Sequence, residues 1–308
     1  MERRTIIIVG PTCSGKTSVA LALALKFETE IISADSRQIY KLLNIGTAKP
    51  SEYELTTIMH HFIDYLNPDE NYNVSRFEKE ALIKIELLSE QNKIPIVTGG
   101  SGLYIKALVD GIVDAVDVDD DYREELISIK NEKGIEELYT MLQKVDPESA
   151  RTMLPQNWKR IIRALEVFKL SGIPIWQYHK EQTSNSDIKF LQFGLYLERE
   201  ILYDNINDRV DKMIENGLVD EVNSLLESGL SPNLNSLNTV GYKEIISHLN
   251  KEITLDRAVE LIKRNTRRYA KRQMTWFNKD KRIKWINISE YSTLENVADF
   301  IYYEIENY

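Results

Sequence analysis

Gly10-Pro11-Thr12-Cys13-Ser14-Gly15-Lys16-Thr17 fits G-x-x-x-x-G-K-[ST], and this stretch constrains the fold more than any other. It lies between a β-branched apolar run, residues 5–9, and a helical pattern over residues 16–27, the context in which the match acquires physical meaning. The glycines let the backbone curl around an oxyanion, and successive N–H groups and the helix N-terminus then point at phosphate. Lys16 adds a mobile positive charge, and the Thr17 hydroxyl is placed to ligate Mg²⁺. A glycine-rich turn without a ligand is the competing explanation; strand, loop, lysine and helix together outweigh it. The loop does not say whose phosphates it holds, since a nucleoside triphosphate and an organic diphosphate look alike to it.

The remainder of the chain extends this start into a sheet. Residues 30–34, 94–98 and 190–197 are short, apolar and rich in β-branched or aromatic side chains, and residues 283–288 form a weaker fifth candidate. Helical patterns lie between them, at 16–27, 75–91 and from 204 onward. Alternating strands and helices predict an α/β fold: a parallel sheet covered on both faces, of the P-loop-containing nucleoside triphosphate hydrolase type. From about 112 to 188 the alternation stops. That region carries helical patterns at 122–132, Ile135–Val145 and 157–170 and predicts a helical insertion domain, with the core formed by residues 1–111 and 189–308.

A 43% hydrophobic content is enough to bury a sizeable core in 308 residues. No stretch approaches the roughly 20 apolar residues of a membrane span, and Met1-Glu2-Arg3-Arg4 runs directly into the first strand, too short for a signal peptide. The single cysteine, Cys13, excludes an internal disulfide framework and fits a reducing cytoplasm. The net charge of −9 argues weakly against a polyanionic partner. Its distribution is uneven, however: from Arg257 to Lys284 there are eleven basic residues and two acidic ones, whereas eight acids crowd the stretch from Asp110 to Glu125. The basic segment suits a positioned nucleic acid and equally a solvated helix face.

Two further motifs follow predicted strands, where the carboxyl ends of a doubly wound sheet form the ligand crevice. Asp35, in Ser33-Ala34-Asp35-Ser36-Arg37-Gln38, is placed either to hold a metal through water or accept a proton, or to cap a following helix. Thr98-Gly99-Gly100-Ser101-Gly102 has glycines that allow close approach of backbone to a ligand and a Ser101 hydroxyl expected to face the crevice; a tight strand-to-helix turn accounts for it as well. His60 and His61 are adjacent. In extended chain they point to opposite sides, which favours structural roles over a metal site.

Eight ordered motifs now stand together: Gly10–Thr17; Asp35-Ser36-Arg37-Gln38-Ile39-Tyr40; Gly46-Thr47-Ala48-Lys49-Pro50; His60-His61-Phe62-Ile63-Asp64; the run from Gly99 to Leu108; Arg160-Ile161-Ile162-Arg163-Ala164-Leu165-Glu166-Val167; Gly241-Tyr242-Lys243-Glu244-Ile245; and Lys271-Arg272-Gln273-Met274-Thr275-Trp276-Phe277. In this combination, from the first strand to about Trp285, the chain resembles the bacterial tRNA dimethylallyltransferases. The resemblance implies transfer of a dimethylallyl group from dimethylallyl diphosphate to the exocyclic amine of the adenosine just 3′ of the anticodon, with Mg²⁺ as cofactor. It implies Asp35 and Ser101 as catalytic residues, and Gly10 through Thr17 with Arg209 on the diphosphate. The anticodon stem-loop would be contacted by Asp35, Ser36, Arg37, Gln38, Ser101, Arg123, Lys159, Arg160, Ile161, Ile162 and Arg163, together with Arg267 and Arg272 of the basic segment. Ser101 stands where the family usually carries Thr, so the hydroxyl is kept and a methyl is lost. A monomer in the cytoplasm, without a membrane partner, is expected.

Three other activities share parts of this pattern. A small-molecule kinase would share the loop, Asp35 and the fold, but leaves the basic segment and the motifs after residue 155 unexplained. A nucleotide-switch module without transfer chemistry predicts ordering loops and tight triphosphate binding. A prenyltransferase acting on free adenine nucleotides needs no large RNA-binding surface.

Overall fold

The computed structural model describes residues 3–112, 118–181 and 187–307; Asp114 and Asp117 of the acidic stretch lie outside them. The chain divides into two compact units, residues 1–109 with 186–308 and residues 110–185.

In the first unit, β1 (Arg3–Val9), α1 (Lys16–Lys26), β2 (Ile31–Ser33), α2 (Glu52–Thr57), β3 (His60–His61), α3 (Val74–Glu90), β4 (Ile96–Thr98) and α4 (Gly102–Asp110) come first. The second unit contributes α5 (Asp120–Lys133), α6 (Ile135–Val145), α7 (Pro147–Thr152), α8 (Trp158–Ser171) and α9 (Ile175–Glu181). The chain then returns with β5 (Ile188–Tyr196), α10 (Arg199–Glu215), α11 (Leu218–Glu227), α12 (Tyr242–Leu249), α13 (Leu255–Phe277), β6 (Lys284–Asn287) and α14 (Leu294–Glu306). Among the described residues the second unit has no strand.

The six strands form one parallel sheet, ordered β3-β2-β4-β1-β5-β6. Alternation along β1 explains the layers. Ile6 and Ile8 enter one core with α1 and α14, through Val19, Leu23, Val297 and Ile301. Ile7 and Val9 enter the other, with Phe77 of α3, Leu108 of α4, Tyr242 and Ile245 of α12 and Ile262 of α13. Both faces are covered, so β1 reads as an unbroken apolar run rather than an alternating one. The chain leaves β1 toward β2 and β3, returns through β4, and then crosses to β5 on the other side. The loop after β1 therefore opens at the point where the strand order reverses, where such sheets bind ligands.

Two differences from the sequence reading have local causes. The predicted strand 94–98 begins only at Ile96: Pro95 lacks an N–H, although its carbonyl still accepts from Ile6 N at 2.9 Å. β3 escapes the pattern because it is two residues long, too short for any period to register.

The helical unit has its own core of Leu126, Leu138, Leu142, Ala150, Ile161, Ile162, Leu165 and Val167. Among the described residues no helix is long and apolar enough to cross a membrane.

Candidate functional site

The loop after β1 has the shape its glycines permit. Gly15 sits at φ 76° as the N-cap of α1, a left-handed conformation that costs a side-chain-bearing residue about 1–2 kcal/mol. Cys13 nevertheless adopts φ 63°. Lys16 folds back, Nζ donating to Pro11 O at 2.7 Å. Burial, reinforced by the Arg209 charge, pushes the Lys16 ammonium down to about 8. An anion on the loop would oppose both effects and favour the charged form of the lysine.

Lys16, Thr17, Asp35, Thr12 and Arg209 line one narrow crevice at the carboxyl ends of β1, β2 and β4. Arg209 comes from α10, and its Nη1 lies 3.9 Å from Cys13 Sγ. Beyond Arg209, Ala48 and Pro50, which line both, lies a cavity of about 810 Å³ whose wall includes Asn205, Asp208 and Lys212 of α10, Asn216 just after it and Cys13 of the loop.

Asp35 does not open a helix. The chain from Ser36 to Ile39 makes a turn, and Asp35 Oδ1 accepts from the N–H groups of Arg37 at 2.8 Å and Gln38 at 3.4 Å. These bonds fix the carboxylate through one oxygen and leave Oδ2 for the crevice. The next three side chains are engaged within the protein. Ser36 N donates to Ser101 Oγ at 3.0 Å, and Ser101 Oγ donates to Ser36 Oγ at 3.3 Å. Arg37 Nη1 donates to Asn235 O at 2.5 Å. Gln38 Nε2 donates to Thr47 O at 3.2 Å and Ala48 O at 2.9 Å. Ser101 thus braces the Asp35 turn through Ser36.

The glycine-rich motif after β4 lines the crevice through Gly99 and Gly100, and protein also packs closely against its glycines. A Cβ at Gly99 would collide with Ala34 O, one at Gly100 with the Gln273 amide, and one at Gly102 with the Trp276 ring. Gln273 explains the crowding. Its Oε1 accepts from Thr12 N at 2.9 Å and its Nε2 donates to Gly100 O at 3.0 Å. One amide of α13 therefore ties the phosphate loop to the β4 loop. Gln273 stands within the Lys271–Phe277 motif, which by itself gives it no role. The available signal was a polar residue on the buried stripe of α13, between Ala270 and Phe277.

A second clamp supports the crevice. Glu221 accepts from the N–H groups of Asn44, Ile45 and Gly46 at 2.8–3.2 Å and from Tyr242 Oη at 2.6 Å. Lys49, beside it, bonds Tyr40 O, Asn44 Oδ1 and Asp64. The Gly46–Pro50 and Gly241–Ile245 motifs are therefore two halves of one packed loop. His61 pairs with Glu30 at 2.7 Å. His60 Nδ1 lies 2.8 Å from Ile58 O, its ring reaches the crevice wall, and burial pushes its pKa down.

A divalent cation fits this donor set. Among the described residues no three His, Cys, Asp or Glu side chains converge as a metal cage. The Thr17 hydroxyl, with Asp35 across the same crevice, supplies the sparse hard-oxygen set that Mg²⁺ uses when phosphates and waters complete its shell.

The basic segment is mostly α13, and it is amphipathic. Ala258, Ile262, Ala270, Gln273 and Phe277 are buried, whereas Arg257, Arg268, Lys271 and Arg272 are exposed. Arg267 is less free than expected, bonded to Asn207 Oδ1 at 2.6 Å and lying over the Tyr203 ring. In the helical unit Lys159 and Arg160 are exposed. Ile161 and Ile162, expected on RNA, are 0% and 5% exposed in the local core, since a helix turning 100° per residue cannot present the five consecutive side chains 159–163 to one partner. Arg123 and Arg163 both close on Glu166, at 2.7 and 2.5 Å. Burial pushes the Glu166 carboxyl up, but bonds from Arg163, Arg123 and Asp119 N outweigh this and hold it below the usual range.

Residues 38–280 match the IPP transferase family. A protein of Alkaliphilus oremlandii named tRNA dimethylallyltransferase is 44% identical over 98% of this chain and 96% of its own. The crystal structure of the tRNA isopentenylpyrophosphate transferase of Bacillus halodurans is 37% identical with a TM-score of 0.73, covering 100% of this chain and 98% of that one. A eukaryotic dimethylallyltransferase acting on tRNA is 30% identical with a TM-score of 0.80, over 92% of this chain and 74% of that one.

Proposed function

Since the chain belongs to the IPP transferase family, we propose that it is a tRNA dimethylallyltransferase, moving the five-carbon group of dimethylallyl diphosphate onto the exocyclic amine of the adenosine 3′ of the anticodon. The observation that carries this reading is the shared crevice. An oriented carboxylate, Asp35, faces the same space as the anion-binding groups Lys16, Thr17 and Arg209. A transferase needs this juxtaposition: a cradle for the leaving group and an acceptor for the proton of the attacking one.

In the proposed reaction the adenine amine forms a bond to the first carbon of the prenyl chain as the carbon–oxygen bond to diphosphate breaks. The bonding electrons leave with the diphosphate, and the amine proton passes to Asp35 Oδ2. Negative charge grows on the leaving group, so the preorganised loop N–H donors, Lys16 and Arg209 act where it develops. Mg²⁺, held by Thr17 and through water by Asp35, would neutralise further charge on the diphosphate. Because an adenine amine is a poor nucleophile, alignment by Asp35 contributes heavily. Chemistry on a stacked base requires its extrusion into the site. Phosphates of the stem-loop then lie on the exposed cations of α13 and on Lys159 and Arg160, and the helical segment 112–188 acts as an RNA-contacting insertion in a monomeric, cytoplasmic enzyme.

The test is an acceptor comparison. Purified protein with labelled dimethylallyl diphosphate and Mg²⁺ is expected to label unmodified tRNA and leave AMP, ADP and ATP unlabelled. Label on a free nucleotide would reassign the acceptor. Transfer of the γ-phosphate of ATP to a small alcohol would make the protein a kinase.

A further inference from the structure

Tyr269 has no role in the chemistry above, yet it occupies the junction between the crevice and the basic helix. It lines the crevice with Asp35 and Gln273, and it remains 37% exposed. For a large ring beside a packed loop this is unusual freedom, because its neighbours at Ala270 and Gln273 are buried. Burial, with the Asp35 charge adding, pushes the Tyr269 hydroxyl up to about 12. The hydroxyl is thus neutral, and the ring lies within the field of the Asp35 carboxylate. The Arg272 guanidinium lies 5.8 Å from its centroid, and Arg268 and Lys271 flank it, exposed, on the same helix.

An exposed aromatic ring at the mouth of a polar crevice, set among unburied cations, is the combination by which proteins hold a single-stranded nucleotide: cations take the backbone and the ring takes the base. We propose that the Tyr269 ring is the platform on which the extruded adenine stacks, holding its amine against Asp35. This deepens the transferase reading and rests on it. The contact is with the π-face, so the ring should matter and the hydroxyl should matter little.

The experiment is a cycle between protein and RNA. Binding of an anticodon stem-loop, intact or abasic at the acceptor position, is measured for the wild type, Tyr269→Phe and Tyr269→Ala. Tyr269→Phe should bind both RNAs within about twofold of wild type. Tyr269→Ala should bind the intact RNA about tenfold more weakly, the scale of one base–aromatic stack, and the abasic RNA as wild type does. The affinity for dimethylallyl diphosphate alone should be unchanged in all three proteins. Equal losses on intact and abasic RNA would overturn the proposal, because the ring would then serve the fold or the backbone path. So would a Tyr269→Phe defect as large as that of Tyr269→Ala. Should Tyr269→Ala fail to fold, Tyr269→Leu takes its place in the same cycle with the same expected loss. A wild-type protein that prenylates no RNA would refute the transferase reading itself, an outcome distinct from either of these.

Discussion

Asp35→Asn should lower kcat by roughly 10²–10⁴, the range for loss of a positioned general base, with little change in affinity for dimethylallyl diphosphate. The substitution is clean for a structural reason. The carboxylate oxygen that holds the turn accepts from Arg37 N and Gln38 N, and an asparagine carbonyl accepts the same two bonds. What is lost is the charge and the second acceptor. The asparagine amide offers N–H groups where the adenine amine also presents N–H, so donor faces donor and the proton has no destination. The proposed donor cradle, the loop with Lys16 and Arg209, is left intact, so donor binding should persist. Steady-state kinetics on tRNA with a separate donor-binding titration read both quantities. A near-normal kcat would remove Asp35 from proton transfer.

The second large effect lies in the helical unit. Glu166 is 0% exposed and accepts from Asp119 N at 2.9 Å, from Arg123 and from Arg163. It joins α8 to the start of α5. Glu166→Ala removes the carboxylate on which both guanidiniums close and leaves the Asp119 N–H without this acceptor. Breaking a buried pair costs about 3–5 kcal/mol, and the low end, about 3 kcal/mol, applies here because the arginine side chains are 34% and 30% exposed and rehydrate in part. Hydrogen exchange of α5 and α8 should show this loss of protection, while the strands of the sheet keep theirs. Glu166→Gln, which keeps one acceptor oxygen for Asp119 N but loses the charge and the second oxygen, should lose less. The folded carboxyl titrates below the ordinary Glu range, so its contribution is complete above the unfolded-state value and is lost only as pH falls through the lower folded one. Unchanged protection in Glu166→Ala would show that the two arginines find other partners.

Much of the sheet was legible because buried parallel strands advertise themselves as apolar runs rich in β-branched or aromatic residues: residues 5–9 are of the first kind, and Phe190, Phe193 and Tyr196 make 190–197 one of the second. Strand ends were less legible. β5 starts earlier, at Ile188, because it pairs with β1 from Arg3 onward, a partner that local pattern cannot reveal. The phosphate loop and Asp35 were readable because each follows its strand directly. Gln273, Glu221 and Tyr269 were not, since their partners lie far off in sequence: Gln273 meets Thr12 across 261 residues, and Glu221 meets Asn44 across 177. The glycine-rich motif was legible only in part, for a related reason. A glycine reports that something comes close, and only the fold shows that Gln273 and Trp276 are what come close.

The central claim is that the loop after β1 cradles the diphosphate of the prenyl donor. Cys13 reports on it directly. It is the only cysteine, it stands in the loop, its side chain lines the adjoining cavity, and its sulfur lies 3.9 Å from Arg209. The rate of iodoacetamide labelling, followed by mass spectrometry with and without dimethylallyl diphosphate and Mg²⁺, is the measurement. A bound diphosphate covers the loop and adds negative charge beside the sulfur, so labelling should slow with increasing donor and saturate. Rapid labelling that the donor leaves untouched would contradict the assignment of this loop to the prenyl donor.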